Sequence, residues 1–204
     1  MEKAANPGFP SGEEGREMLE RMNGGGHAEL AHWGLDYFNT EKNADILEIG
    51  CGGGANIARL LRKCPNGSIT GIDYSDLSVV MSQEKNKDAI QSGEVSVCKG
   101  NVLALPFDDE SFDAATAFET IYFWQNLSKA FAQVYRVLRK GGIFFICNET
   151  DGEAAEGYDW EKENDNLKIY KIEEIEKVLR AAGFSEIKIE RKKENGWICF
   201  VAVK

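Results

Sequence analysis

The chain has 204 residues, 43% of them hydrophobic and 28% charged, with a formal net charge of −10 at pH 7. That size and balance suit one α/β domain with a substantial core and a small appendage, and no apolar run approaches the ~20 residues that cross a bilayer. The acidic charge argues against nucleic acid as a partner, because a basic surface normally supplies most of that affinity. The five cysteines (Cys51, Cys64, Cys98, Cys147, Cys199) are odd in number and form no CxxC pair, and there are only two histidines. They read as buried, reduced thiols of a cytoplasmic protein, and no metal site is expected. The N-terminus, with Glu2, Lys3, Asn6 and two early prolines, has no apolar signal-peptide core.

Along the chain, residues 12–22 and 27–39 read as helices separated by glycines 24–26. A first strand spans about Asp45 to Gly50. The helix after it, starting near Gly53, sets Ile57, Leu60, Leu61 and Cys64 on one face, and Pro65-Asn-Gly67 stops it. Strand two is Ser68 to Asp73. Ser75 or Asp76 caps a helix reaching about Gln91, which Gly93 ends. Strand three is Val95 to Lys99, and Ser111 to Phe118 supplies strand four. A helix from Leu127 to Arg139 carries Leu127, Ala130, Phe131, Val134 and Leu138 in one stripe, and Gly141-Gly142 turns into strand five, Ile143 to Asn148. A last helix, marked by Ile172, Ile175, Val178, Leu179 and Ala182, ends at Gly183. Two alternating segments, Glu186 to Arg191 and Trp197 to Val203, then meet through Asn195-Gly196, a strong hairpin signal. Strand–helix alternation closing on a hairpin predicts a doubly wound sheet with helices on both faces. Residues 149–165 carry eight acidic side chains against Lys162 alone. They form either a solvated surface or a rim that attracts a cationic substrate.

The segment Asp45-Ile-Leu-Glu-Ile-Gly-Cys-Gly-Gly-Gly-Ala-Asn56, followed by Ile69-Thr-Gly-Ile-Asp73, has the layout of a nucleotide site: strand, glycine-rich turn opening a helix, second strand ending on a carboxylate. Glycines admit close backbone approach, the helix start leaves free N–H groups, and Asp73 stands where a ribose diol donates. Gly50-x-Gly52-x-x-Ala55 also satisfies the dinucleotide pattern, with Asp73 at the expected distance. Glu48 weighs against a dinucleotide, because its carboxylate opposes a pyrophosphate and favours a ligand bearing an ammonium group, as S-adenosylmethionine does.

Ile46-Leu-Glu-Ile-Gly-Cys-Gly-Gly-Gly resembles the glycine-rich signature of class I S-adenosylmethionine-dependent methyltransferases. Gly100-Asn-Val-Leu-Ala-Leu-Pro-Phe-Asp-Asp-Glu-Ser-Phe-Asp113 and Val137-Leu-Arg-Lys-Gly-Gly-Ile-Phe144 are similar to two further blocks of that family, in family order and spacing. The resemblance implies a Rossmann-like α/β fold: a mostly parallel seven-stranded sheet with a C-terminal antiparallel hairpin. The piece from Met22 to Tyr37 resembles the leader of small bacterial and archaeal members, which lies as a lid over the cofactor. Residues 1–43 are then a helical lid on a catalytic domain of residues 44–204, and the three glycines are its hinge.

By the same resemblance, Gly50, Cys51, Gly52 and Gly54 wrap S-adenosylmethionine (product S-adenosylhomocysteine), Glu48 orients its ammonium group, and Asp73 takes the ribose. Tyr74 packs on the adenine face. Asn101 and Val102 read the adenine edge, with asparagine where the family more often has an acid. Glu119-Thr-Ile-Tyr-Phe-Trp124 lines the transfer cavity and lacks the Asn/Asp-Pro-Pro-Tyr block of DNA and protein-amide methyltransferases. That departure points to a small-molecule acceptor. Tyr122 and Trp124 then wall the acceptor, with Phe123 left for the core, and Trp33 and Tyr37 face it from the lid. If a base acts, the candidates are His27, Glu119 and Tyr122, in that order. A monomer or homodimer is expected. Two alternatives stay open: an NAD-dependent oxidoreductase, and a protein that binds S-adenosylmethionine without catalysis.

Overall fold

Strands buried on both faces organise the molecule, which a computed structural model describes for residues 6–153 and 167–204. Seven strands form one sheet: β1 (Asp45–Ile49), β2 (Ser68–Asp73), β3 (Val95–Lys99), β4 (Phe112–Phe118), β5 (Leu138–Asn148), β6 (Ser185–Lys192) and β7 (Trp197–Val203). Their order is β3-β2-β1-β4-β5-β7-β6. β1 to β5 run parallel, and β7 inserts antiparallel between β5 and β6. Continuous apolar runs such as Ala114, Ala115, Ala117 and Phe144 to Cys147 are fully buried, as central parallel strands require.

Helices cover both faces. On one, α6 (Leu127–Val137) and α7 (Ile172–Ala182) enclose Phe131, Phe144, Leu179 and Phe184. On the other, α2 (Gly25–Leu35) and α3 (Ala55–Lys63) enclose Leu30, Phe38, Ile57, Leu60 and Phe145. α1 (Gly12–Met22), α4 (Asp76–Lys85) and α5 (Lys87–Gln91) complete the set. α3 owes its position to its pattern, with Ile57 and Leu60 inward and Arg62 and Lys63 in its last turn. Among the described residues no helix is long and apolar enough to cross a membrane. All five cysteines are free thiols, four of them buried.

Several boundaries differ from those the pattern predicts. The helix expected to run to Gln91 breaks at Asn86, whose Nδ2 donates to the Gly54 and Ser82 carbonyls at 3.0 and 2.9 Å. The helix expected to reach Arg139 stops at Val137, because Leu138 pairs with Phe112 and begins β5. Gly25 and Gly26 lie inside α2, so Gly24 alone of the three glycines precedes the helix. α2 itself is part of the core: Leu30, Ala31 and Leu35 pack with residues of β1, β4 and β5. Most of the acidic 149–165 stretch lies outside the described residues. Of its members that are described, Asp151 and Glu153 both pair with Arg191.

Candidate active site

The parallel strands end on one side of the sheet, where a cavity of about 400 Å³ opens. That volume falls in the usual range for small-ligand sites, and the place is where doubly wound sheets bind ligands. The glycine loop after β1 forms its floor. The Gly50 and Cys51 N–H groups donate to the Ile72 carbonyl at 2.8 and 3.2 Å, which pins the loop to β2. Gly50 has φ 76, and a Cβ there would stand 2.4 Å from Thr120 Cγ2, so only glycine fits.

Asp73 closes the far side of the loop. Its carboxylate accepts from Gly52 N and Ser75 N, each at 2.9 Å, which fixes its rotamer. Burial raises its pKa against the opposing pull of those N–H groups. Tyr74 beside it is 56% exposed and tilts against Phe9, with ring centroids 5.5 Å apart. Asn101 and Val102 line the cavity opposite. The Asn101 Oδ1 already accepts from Leu103 N at 2.8 Å, so an adenine edge meets an oxygen that is partly engaged.

Cys51, Gly50 and Gly52 line the cavity, and burial pushes the Cys51 thiol well up, so it stays protonated. Gly54 does not line it. This residue has φ 80, faces α4, and leaves its place on the wall to Gly53. Glu48 also departs from expectation. It is 1% exposed, receives the Thr116 hydroxyl proton and does not line the cavity. Burial raises its pKa to about 8. It sits on β1 beneath the loop, close enough to Arg59 and Asp73 to feel their charges, while the loop that follows lines the cavity.

The acceptor end is built from three elements. His27, in the first turn of α2, bonds through Nδ1 to Oε2 of Glu119, which raises the histidine pKa. Glu119 follows β4 in a left-handed conformation, φ 57, with its N–H on the Cys147 carbonyl at 2.8 Å. Glu149, at the end of β5, completes the corner. Burial and the facing Glu119 carboxylate raise its pKa to about 7.

The aromatic residues sort differently from the prediction. Tyr122 is 6% exposed, does not line the cavity, and accepts from Thr150 N at 3.4 Å. Phe123 takes the place on the cavity wall expected for Tyr122, so the two exchange roles. Burial raises the Tyr122 pKa well above its ordinary value, so it does not serve as a base. Trp124 reaches the cavity edge while its ring stacks on Phe144. Trp33 and Tyr37 do not line the cavity. They pack on each other at 5.4 Å, and Trp33 continues onto Trp197 of β7 at 5.9 Å.

Two lining residues, Arg59 and Asn23, and Glu149 behind the wall carry no motif. Arg59 projects from α3, held by Asn56 Oδ1 at 2.7 Å, and lines the cavity with the loop. Asn23 donates from Nδ2 to the Gly53 carbonyl at 3.3 Å, tying the end of α1 to the loop. Glu149 had a usable signal, because it directly follows a central parallel strand, where site residues concentrate.

The sheet order, the inserted antiparallel β7 and a cavity at the parallel strand ends define a Rossmann-like fold of the methyltransferase type. A SAM-dependent methyltransferase from Aquifex aeolicus superposes with a TM-score of 0.77 at 18% identity, covering 92% of this chain and 97% of that one. The family model described as "Methyltransferase domain" matches residues 47–146. YrhH, a methyltransferase-family protein of Bacillus subtilis, is 31% identical over 130 residues, 63% of this chain and 71% of that one. The sterol 24-C-methyltransferase of Debaryomyces hansenii is 30% identical over 172 residues, 80% of this chain but 45% of the relative. The chain thus spans about half or less of the sterol and squalene methyltransferases it matches. It belongs to the class I S-adenosylmethionine-dependent methyltransferase family.

Proposed function

We propose that this protein transfers a methyl group from S-adenosylmethionine to a small-molecule acceptor. One observation carries the reading: the glycine loop and Asp73 open into the same cavity as the His27–Glu119 pair. The residues present fit the cofactor. Asp73 is pre-oriented to accept from a ribose diol, Val102 and Tyr74 offer apolar surface to adenine, and Arg59 supplies a cation for the carboxylate of the methionine part. The bound cofactor supplies a methyl group on a sulfonium, which departs as a neutral thioether.

The protein's part is alignment and exclusion of water, which account for roughly 7–11 kcal/mol of barrier lowering in well-oriented systems. Phe123 and Trp124 wall the acceptor on one side. Glu119 takes a proton at a carboxylate oxygen when the acceptor is an N–H or O–H group, and the hydrogen bond to His27 lets the pair share that proton. Nucleic acid is a poor acceptor for a chain of net charge −10.

The dinucleotide alternative no longer turns on Glu48, since that side chain does not reach the cavity. The inserted β7 and the family membership weigh against it instead. The test is transfer of a labelled methyl group from S-adenosylmethionine to a panel of amines, hydroxy compounds and alkenes. Label in any acceptor supports the reading. Tight cofactor binding with no transfer to any class would leave a binding protein without catalysis.

A further inference from the structure

Three side chains far apart in sequence meet at one corner of the cavity: His27 from α2, Glu119 after β4 and Glu149 after β5. Their donor atoms all lie within 4.8 Å of one another. Donors around one small ion stand slightly closer, so these side chains need only a small closure to share one. At metal–ligand distances of about 2.0–2.2 Å, adjacent donors stand about 3 Å apart and opposite ones about 4 Å.

The corner is also unbalanced as it stands. Two carboxylates face each other in a half-buried place, and they repel unless a shared proton or a cation lies between them. His27 answers one oxygen of Glu119. The other, Oε1, is buried and receives no hydrogen bond, and the Glu119 side chain is only 11% exposed. The left-handed backbone at Glu119, φ 57, is uncommon for a residue other than glycine and persists where its surroundings hold it.

We infer that His27, Glu119 and Glu149 form a site for one divalent transition-metal ion at the acceptor end of the cavity. One imidazole and two carboxylates suit Mn²⁺, Fe²⁺ or Zn²⁺, whereas Mg²⁺ and Ca²⁺ prefer all-oxygen shells. Binding exchanges the His27–Glu119 hydrogen bond for bonds to the ion and neutralises both carboxylates. His27 and Glu119 line the cavity, so the remaining coordination positions open toward it, as at catalytic rather than structural sites. An acceptor bearing a hydroxyl or carboxylate oxygen completes that shell and is held and polarised there. This purpose rests on the methyltransferase reading; the binding of the ion does not. Sequence reading expected no metal, because the set has neither a CxxC nor a paired-histidine spacing and forms only on folding.

The experiment is titration of Mn²⁺ into the chelator-treated full chain, read by the electron paramagnetic resonance of free Mn²⁺ and by calorimetry. Circular dichroism checks folding, and S-adenosylhomocysteine binding is measured alongside. One ion per chain is expected. Glu149→Gln and His27→Gln should each weaken it by about tenfold or more, while His32→Ala and the affinity for S-adenosylhomocysteine stay unchanged. The inference is overturned if Mn²⁺ does not bind at millimolar concentration, or binds Glu149→Gln as tightly as the parent. A corner built for the ammonium group of an acceptor would give the first of those results. S-adenosylhomocysteine binding without Mn²⁺ would remove the metal and leave the methyltransferase reading. Mn²⁺ binding without S-adenosylhomocysteine would do the reverse.

Discussion

The two ends of the cavity are made in different ways. The cofactor end is local: β1, the glycine loop, α3 and β2 follow one another within residues 45–73, and the Gly52–Asp73 hydrogen bond closes the unit on itself. The acceptor end is long-range. His27, Glu119 and Glu149 come from three segments that meet only because α2 packs across the ends of β4 and β5. A local unit leaves its signature in the sequence, whereas a long-range corner does not. It follows that changes at the first end should be severe and predictable, and changes around the second should depend on neighbours.

The largest effect is expected at Gly50→Ala. A left-handed backbone and a Cβ 2.4 Å from Thr120 Cγ2 together cost about 2–4 kcal/mol. Denaturant unfolding should show that loss, and S-adenosylhomocysteine binding should vanish. Asp73→Ala removes a carboxylate held in place by two N–H groups. Calorimetry should show affinity for S-adenosylhomocysteine reduced about 10–100-fold, the worth of a hydrogen bond to a charged group. If affinity is instead unchanged, the local end is not the cofactor end.

A third prediction separates fold from site at Glu48. Its folded pKa of about 8 lies above the ordinary 4.5, so the protein binds that proton more tightly when folded. Its contribution to stability is therefore complete below pH 4.5 and is lost as pH rises toward 8, by up to about 1.4 kcal/mol per pH unit. Glu48→Gln should flatten that slope while binding S-adenosylhomocysteine like the parent. Unfolding measured across this range for both proteins checks it. A smaller effect belongs to Tyr122→Phe, which loses one long hydrogen bond from Thr150 N, about 0.5–1.5 kcal/mol, with no change in ligand affinity. Phe123→Ala should do the opposite, lowering affinity for the acceptor more than stability.

The sequence was legible where periodicity and punctuation act alone. The bounds of β2, β3 and β7, the Ser75 cap on α4 and the hairpin at Asn195-Gly196 all stand as read. The glycine loop and Asp73 were legible for the same reason. Elsewhere tertiary contacts decided. Asn86 breaks a helix to serve Gly54, a contact that no local pattern announces. Tyr122 and Phe123 exchange places because one turn of 3₁₀ helix, Ile121–Phe123, rotates the pair relative to the cavity. Trp33 and Tyr37 lie a helical turn apart and share one face of the chain, which meets Trp197 of the last strand rather than the ligand. Glu48 illustrates the limit most clearly, since a carboxylate in the right motif is buried against Thr116 and does not line the cavity.

The central claim, that the glycine loop and Asp73 hold an adenosyl ligand, is tested most directly by thermal unfolding with S-adenosylhomocysteine and, separately, with NADH. At 100 times its dissociation constant a ligand stabilises by about 2.7 kcal/mol, a rise of several degrees for a domain of this size. The account predicts that rise with S-adenosylhomocysteine, its loss in Asp73→Ala, and none with NADH. A rise with NADH alone would contradict it.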